Sequence, residues 1–253
     1  MDTKPFLDAA REAAQSAAAI INHYYRGQLD VARKADASPV TVADVEAEKA
    51  IRSLLTTRFP EHGFYGEETG RSQEESEYLW LVDPIDGTKS FIRQYPFFST
   101  QIALMHAGRI VIGVSSAPAF EELAWAAAGE GAWLDGERAR VSKIDALSRA
   151  TISTGNIGTL ARSDRWSRWG QIVSSVDRIR GYGDFYHYHL LATGRIDVVI
   201  ESDVNILDIA ALSLIVEEAG GRFTDLDGAP IDLETTSVLA SNGLLHSAVE
   251  TAL

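Results

Sequence analysis

Cysteine is absent from the 253-residue chain. Disulfide bonds, thiolate metal sites and cysteine nucleophiles are therefore excluded. The sequence also lacks an apolar run of membrane length, and Met1 is not followed by the charged segment and apolar core of a secretion signal. We therefore expect a soluble, unexported protein of the cytoplasm that has no membrane partner.

Positive charge is scarce. The chain has 23 lysine and arginine residues against 36 aspartate and glutamate residues, which gives a formal net charge of -13. It contains no basic run, and binding to nucleic acids or anionic membranes depends on clustered lysine and arginine. We therefore predict no nucleic-acid partner. An acidic protein that handles a phosphate needs a local source of positive charge, and metal ions are the simplest source.

Repeats, low-complexity tracts and long linkers are also missing, while 45% hydrophobic residues supply a sizeable core. The chain turns polar around residues 142–150. We therefore predict two closely packed parts. Residues 1–145 are expected to form an N-terminal α+β part with an antiparallel sheet, and residues 146–253 a C-terminal α/β part.

The spacing of apolar residues predicts two helices in the first part, at about 5–25 and 42–59, with a loop and a short extended piece at residues 34–41 between them. Alternating apolar residues predict hairpins around residues 106–109 and around Asp135-Gly136.

Two histidines in the second part, His187 and His189, fall on a predicted helix at 185–193. They cannot both face one side of that helix, so a shared metal site is not expected. We interpret them as packing or surface residues.

The segment from Tyr78 to Phe91 is a short apolar run that ends in two aspartates. The run is typical of a buried strand, and Pro84 and Gly87 suggest that the chain turns sharply where the strand stops. Asp83 and Asp86 would then project from one turn at the carboxyl end of a strand, where open α/β sheets place ligands. Carboxylates this close need protonation or cations, and hard oxygen ligands suit Mg²⁺ or Mn²⁺. The alternative is an ordinary solvated turn.

Three other acidic positions each have a purely structural interpretation. Asp44, near the start of the second helix, could complement the helix dipole. Glu67 and Glu68 follow a short strand and could form a solvated loop, and only one of them can easily face Asp83. Asp208 opens a helix that is apolar nearly all round, which predicts burial between layers, and it could be the N-cap of that helix. Sequence spacing alone does not join these acids to the central turn.

Two segments carry a resemblance to a known family. Residues 83–91, Asp-Pro-Ile-Asp-Gly-Thr-Lys-Ser-Phe, resemble the first signature of the inositol monophosphatase family of Mg²⁺-dependent, lithium-sensitive phosphatases. Residues 207–211, Leu-Asp-Ile-Ala-Ala, resemble the second signature, which runs on to residues 218–221. The resemblance covers nearly the whole chain. It implies a layered αβαβα sandwich, the sugar phosphatase-like fold, which combines α+β and α/β parts with the site between them, and it implies a homodimer.

The resemblance also implies a chemistry, the hydrolysis of a small phosphate monoester by a metal-activated water that attacks in line. The implied ligands of two or three Mg²⁺ ions, with Mn²⁺ possible, are Glu67, Asp83, the backbone carbonyl of Ile85, Asp86 and Asp208. The implied catalytic residues are Glu67 and Thr88, which orient the water, and Asp44, which helps to remove its proton and binds an outer, weaker metal. The implied substrate-binding residues are Gly87, Thr88, Asp184, Glu201 and Asp208.

The substrate is indicated by residues 180–186, which are similar to the histidinol-phosphatase branch of the family, and by Lys89-Ser90. Asp184 and Glu201 could face the ammonium group of histidinol phosphate in a charge-assisted contact. Leu207 stands where the family usually has tryptophan, a departure that concerns the pocket wall and not the metal ligands. The alternatives are an inositol phosphate or another sugar phosphate, a nucleotide 3′-phosphate and, in a different class, a non-catalytic metal-binding protein on the same fold.

Overall fold

The computed structural model describes residues 1–25, 27, 31–33, 39–73 and 75–253. Within these ranges the helices are α1 (Lys4–Tyr25), α2 (Val42–Arg58), α3 (Thr88–Ile92), α4 (Gly158–Arg162), α5 (Trp166–Ser175), α6 (Asp184–Ala192), α7 (Ile206–Glu218) and α8 (His246–Ala252), with a 3₁₀ turn at Leu147–Arg149. None of the described helices has the length and apolarity needed to span a membrane.

The strands are β1 (Val31–Arg33), β2 (Pro39–Thr41), β3 (Gly63–Gly66), β4 (Gly70–Ser72), β5 (Tyr78–Asp86), β6 (Ser99–His106), β7 (Arg109–Ala117), β8 (Glu122–Ala127), β9 (Gly131–Leu134), β10 (Glu137–Arg138), β11 (Thr151–Thr154), β12 (Arg178–Arg180), β13 (Val198–Ser202), β14 (Arg222–Thr224) and β15 (Ser237–Ser241). β1 and β2 form a short antiparallel pair, and the others form two larger sheets. Of the loop and short extended piece predicted at residues 34–41, residues 34–38 lie outside the described residues, and β2 forms the extended piece.

Helices α1 and α2 pack against each other and cover one face of the first sheet, where they contact β5, β6 and β7. The buried face of α1 consists mainly of alanines, among them Ala10, Ala14 and Ala17. Small side chains let the backbones approach closely, which explains an outer layer of two tightly packed helices. Both helices predicted in the first part are confirmed.

The first sheet has the strand order β10-β9-β8-β7-β6-β5-β3-β4. The predicted hairpins are confirmed, since residues 106–109 join β6 to β7 and Asp135-Gly136 joins β9 to β10. β3 and β5 are the exception in this antiparallel sheet, because they run parallel to each other. Their carboxyl ends therefore lie side by side, and this edge positions half of the site.

Helices α6 and α7 fill the layer between the two sheets. α7 contacts β5 to β8 on one side and β14 and β15 on the other, which confirms the buried helix predicted from its apolar sequence. Gly113 on β7 makes the close approach possible, because a Cβ atom there would lie 2.5 Å from the carbonyl oxygen of Ala211 on α7.

The second sheet has the order β12-β11-β13-β15-β14, in which β12, β11 and β13 are mutually parallel. Helices α4 and α8 contact its β13 and β15, and α5 packs beside them. The layers thus follow one another as helices, sheet, helices, sheet and helices, which confirms the predicted αβαβα sandwich. The division at residues 145/146 stays a prediction.

Two expectations about the backbone at the site are wrong. The strand does not stop at Pro84, because β5 continues to Asp86 with a shift of register after Asp83, and the chain turns at Gly87 with φ of +86°. A proline is tolerated there because the bulge interrupts the hydrogen-bond ladder. Helix α7 begins at Ile206 and not at Asp208, since the N-cap is Asn205.

Candidate active site

The parallel pairing of β3 and β5 brings the first two acids together. Gly66 lies opposite Val82, and the backbone N–H of Glu67 donates to the carbonyl oxygen of Val82 at 3.1 Å. The parallel pairing ends at Gly66 and Val82, and Glu67 and Asp83 are the next residues on the two chains. Their side chains share a hydrogen bond. The alternation of side chains predicts only that one of the two glutamates faces Asp83, and Glu67 is the one that the resemblance implies and that interacts with Asp83.

The turn after Asp83 is held by its own side chains. The carboxylate of Asp83 accepts a hydrogen bond from the backbone N–H of Ile85 at 2.9 Å, and Thr88 Oγ1 donates to the carbonyl oxygen of Ile85 at 3.1 Å. Gly87 is required because φ is positive and because a Cβ atom would lie 2.5 Å from the carbonyl oxygen of Phe97. The predicted residues 83–88 therefore form one rigid unit.

Asp208 joins this unit from the amino end of α7. It is the third residue of the helix, where its carboxylate accepts from the backbone N–H of Asn205 at 2.9 Å and from Asn205 Nδ2 at 2.7 Å. One carboxylate oxygen each of Asp83, Asp86 and Asp208 lies within 4.8 Å of the others. We name these three residues the acid cluster. They come from the far-apart segments that the family resemblance joins.

Burial and mutual repulsion raise the pKa values of the acid cluster. Loss of hydration is the largest cause for Asp83, followed by the charges of Glu67, Asp86 and Asp208. Burial likewise raises the pKa of Asp86, with the nearby charge of Asp184 as the next cause. Burial raises the pKa of Asp208 to about 7. A cluster that repels itself in this way is stabilised by cations, and its all-oxygen donors fit divalent ions such as Mg²⁺.

Asp44 has one engaged and one open carboxylate oxygen. Its Oδ2 accepts from the backbone N–H of Thr41 at 2.8 Å and from Thr41 Oγ1 at 2.5 Å in a capping box at the start of α2. Its Oδ1 is buried and has no hydrogen-bond partner. Burial raises the pKa of Asp44, and the charge of Glu67 adds to the effect. The open oxygen near Glu67 fits an outer cation, so capping and metal binding are compatible at this residue.

Asp184 and Glu201 lie on the second half of the site. Together with Asp86, Asp208 and Tyr188 they line a void of about 20 Å³. Burial raises the pKa of Asp184 to about 6, and the charge of Glu201 is the next cause. The backbone of Asp184 has a positive φ of +46°, which is uncommon for a residue with a side chain. Of the predicted substrate-binding residues, Asp184, Glu201 and Asp208 line this void, and Gly87 and Thr88 directly follow Asp86 in the chain.

Glu48, which the sequence analysis does not single out, lies beside the turn that carries Glu67. Its side chain is fully buried, and its carboxylate accepts from the backbone N–H groups of Glu68 at 2.7 Å and Thr69 at 2.8 Å. A Cβ atom on Gly66 would lie 2.5 Å from this carboxylate, so glycine leaves room for it. Glu48 thus fixes the turn that carries Glu67. Its position four residues after Asp44, on the same helix face, is the signal that could have revealed it.

We expect Glu48→Gln to weaken binding of the activating divalent cation by about 10- to 100-fold, the usual effect of removing a group that orients a ligand. An amide can accept only one of the two backbone N–H groups, so the turn loses its fixed position. The measurement is cation binding by calorimetry, together with the cation concentration that gives half-maximal activity. Glu46→Gln, on the exposed face of the same helix, is the matched control. Equal cation affinity in the two folded variants would contradict this role.

The layered fold is shared with known phosphatases. The histidinol-phosphatase of Mycobacterium tuberculosis is 42% identical over 234 residues, which cover 90% of each chain. The inositol-1-monophosphatase of Caulobacter vibrioides is 35% identical over 247 residues, which cover 95% of this chain and 96% of the relative. The crystal structure of extragenic suppressor protein suhB from Bartonella henselae has a TM-score of 0.90 at 32% identity and 98% coverage of both chains. These likenesses define the chain as a phosphatase, a phosphoric monoester hydrolase.

The sequence match extends over the whole length. Residues 2–253 match the model of the inositol monophosphatase family. The chain belongs to the inositol monophosphatase family, which is metal-dependent and acts on small phosphorylated substrates. The resemblance carried by residues 83–91 and 207–211 is therefore confirmed.

Proposed function

We propose that this chain hydrolyses histidinol phosphate in a Mg²⁺-dependent reaction of histidine biosynthesis. The observation that carries the proposal is the void of about 20 Å³ beside the acid cluster, whose walls include Asp184, Glu201 and Tyr188. A void of this size accommodates one water-sized group, and an ammonium group is of that size. Asp184 and Glu201 are not among the proposed metal ligands, so their carboxylates are available to the substrate. They favour an ammonium group over a neutral hydroxyl, because a buried charge needs an opposite charge. The name of the M. tuberculosis relative agrees with this substrate.

The proposed ligands of two or three Mg²⁺ ions, with Mn²⁺ as a substitute, are Glu67, Asp83, the carbonyl oxygen of Ile85, Asp86 and Asp208. When bound, these ions neutralise the phosphate oxygens and lower the pKa of a water. Glu67 and Thr88 orient the attacking water, and Asp44 accepts its proton or stabilises an outer cation. No covalent nucleophile is needed, since phosphoryl transfer depends mainly on positioning and charge stabilisation.

The proposed substrate-binding residues come from both halves of the site. Gly87 and Thr88 lie on the rigid turn and face the phosphate end. The hydrogen bond from Thr88 to the carbonyl oxygen of Ile85 holds Thr88 in this position. Asp184 and Glu201 face the amine end. Asp208 lies between them at the start of α7 and contributes to both. This division supports a substrate that carries a phosphate and a cation at opposite ends.

A second candidate substrate is inositol 1-phosphate or a related sugar phosphate. Glu201 favours it, because inositol enzymes use a matching acid on substrate hydroxyls. The Caulobacter relative has this activity in its name. A nucleotide 3′-phosphate and a non-catalytic, metal-binding role complete the alternatives.

The test is phosphate release with Mg²⁺ from histidinol phosphate, inositol 1-phosphate and adenosine 3′-phosphate. We expect kcat/KM to be at least about tenfold higher for histidinol phosphate, since one charge-assisted contact contributes about 1.5–3 kcal/mol. Asp184→Asn keeps a residue type that tolerates positive φ, and it should lower kcat/KM for histidinol phosphate alone. A higher value for inositol 1-phosphate would favour the second candidate, and no release from any substrate would favour the non-catalytic protein.

The homodimer and the cytoplasmic location expected from the sequence stay predictions. Sedimentation of the purified protein with Mg²⁺ would measure the first.

A further inference from the structure

A chain of buried hydrogen bonds runs through His187 behind the amine end of the proposed pocket. His187 Nδ1 lies 3.2 Å from Ser153 Oγ, and Nε2 lies 3.1 Å from Glu201 Oε2. Tyr188 OH donates to the same oxygen of Glu201 at 2.7 Å, and the backbone N–H of Tyr182 donates to Ser153 Oγ at 3.2 Å. The side chain of His187 is fully buried, and that of Glu201 nearly so. Of the two interpretations of His187, packing is therefore confirmed and a surface position is not.

The direction of these bonds follows from the donors available. The carboxylate of Glu201 accepts only, so Nε2 of the imidazole carries the ring proton. In the neutral ring Nδ1 then accepts, and Ser153 Oγ donates its hydroxyl proton to it. Ser153 Oγ is left to accept from the N–H of Tyr182, which it does. Each donor in the chain is matched to an acceptor, so the network defines one arrangement of its members.

The chain ties together three separate segments. Ser153 lies on β11, Glu201 lies on β13, and Tyr182 belongs to the loop that leads to Asp184 and α6. His187, one turn further along α6, contacts Ser153 and Glu201 directly and is linked to Tyr182 through Ser153. The loop that carries Asp184 is thus fastened through Tyr182, Ser153 and the imidazole to the carboxylate of Glu201.

Glu201 is held from its other side as well. Its Oε1 accepts from the backbone N–H of Asn156 at 3.1 Å. A Cβ atom on Gly155 would lie 1.6 Å from that oxygen, so a residue with a side chain cannot occupy this position without moving Glu201. A carboxylate with both oxygens engaged holds one orientation. A buried polar network of this kind is costly unless it is fully satisfied, and this one fixes the wall of the void.

We propose that His187 is a positioning residue that holds Glu201 and the loop of Asp184 in the geometry that receives the cationic end of the substrate. The inference rests on the proposed function, because it assigns the void to an ammonium group. It makes His187 a determinant of substrate affinity that does not touch the substrate. Among the described residues, the turn at 83–88, which carries the phosphate end, shares none of the hydrogen bonds of this network.

The test compares two substrates in folded variants. In His187→Phe, which keeps a flat ring but removes both hydrogen bonds, we expect KM for histidinol phosphate to rise about tenfold or more, since a buried carboxylate loses a partner. KM and kcat for p-nitrophenyl phosphate, which has no ammonium group, should stay within about twofold. His187→Gln, which keeps an amide donor, should recover part of the affinity for histidinol phosphate.

His189→Gln is the matched control. His189 is equally buried on the same helix, but its ring lies 2.9 Å from Ser115 Oγ and 2.9 Å from Glu122 Oε2, away from Glu201. The His189→Gln variant should lower the melting temperature as His187→Gln does. It should leave unchanged the ratio of the KM for histidinol phosphate to the KM for p-nitrophenyl phosphate. An unchanged ratio in both folded His187 variants, or an equal change in His189→Gln, would overturn the proposal.

The two proposals fail in different ways. If the wild-type protein prefers inositol 1-phosphate, the proposed substrate is wrong. The role of His187 is then tested by comparing, in the His187 variants, the KM for inositol 1-phosphate with the KM for p-nitrophenyl phosphate. If the wild-type protein prefers histidinol phosphate and the His187 variants keep its KM, the positioning role alone is wrong.

Discussion

Replacement of Asp83 by asparagine is expected to lower kcat by at least about a thousandfold and to leave the fold intact. The change removes one charge from the acid cluster, and metal stabilisation of the phosphoryl group is worth several kcal/mol, at about 1.4 kcal/mol per tenfold. The side-chain oxygen of the asparagine can still accept the hydrogen bond that the backbone N–H of Ile85 donates to Asp83 at 2.9 Å. The turn should therefore keep its shape. The measurement is phosphate release at saturating Mg²⁺, with circular dichroism for the fold.

The matched control for this change is Asp197→Asn. Asp197 is also buried, but it bonds to Ser142 and to the backbone N–H of Thr151 at the opposite end of the parallel strands. This variant should lose stability and keep most of its kcat. A fully active Asp83→Asn enzyme would refute the assignment of Asp83 as a ligand, and so would an equal loss of kcat in the control.

Metal-free protein is expected to lose stability as the pH rises from 6.5 to 8.5, and Mg²⁺ is expected to reverse this trend. The pKa values of Asp83 and Asp86 are raised well above 3.8 in the folded state, and burial raises that of Asp208 to about 7. The folded protein therefore binds more protons than the unfolded chain, so the free energy of unfolding falls as the pH rises through the folded pKa values. The slope is about 1.4 kcal/mol per pH unit for each extra proton.

The pH window is chosen to exclude His246. Burial lowers the pKa of His246 to about 4, so this residue has the opposite effect between about pH 4 and its ordinary pKa of 6.5. Urea unfolding at pH 6.5 and 8.5, with chelator or with Mg²⁺, gives the four free energies needed. Mg²⁺ at a hundred times its Kd should add about 2.7 kcal/mol. A metal-free protein that becomes more stable toward pH 8.5 would contradict the charge repulsion in the acid cluster.

The sequence predicts the chemistry of the site better than its geometry. Asp83, Asp86 and Gly87 stand in one short segment, so local rules of turns and strand ends are sufficient to place them together. Joining Glu67 and Asp208 to that turn requires the pairing of distant strands and the packing of α7, which local spacing does not contain. The family resemblance supplied that information, and the structure brings these acids to one place.

The residues that the sequence analysis missed share a different property. Glu48 and His187 act through contacts with backbone or side chains far away in the chain, so neither belongs to a local motif. The sequence predicts packing or a surface position for His187 but not its hydrogen-bond network, because its partners Ser153 and Glu201 come from parallel strands whose register only the fold defines. The sequence predicts the start of α7 at Asp208, two residues too late, because Asp208 also has the chemistry of a capping residue whereas the N-cap is Asn205.

Asp44 and Asp208 occupy the same place in their helices, the third residue after a capping side chain. Each carboxylate closes the first helical turn and also lies near other acids of the site, Glu67 for Asp44 and the rest of the acid cluster for Asp208. Asparagine can close the first helical turn but lacks the negative charge. Glutamate has the charge, but its side chain is one methylene longer, so its carboxylate is misplaced relative to the other acids of the site. We therefore expect almost no substitution of aspartate to be tolerated at these two positions. Saturation mutagenesis should find fewer active variants there than at Asp86, which starts no helix.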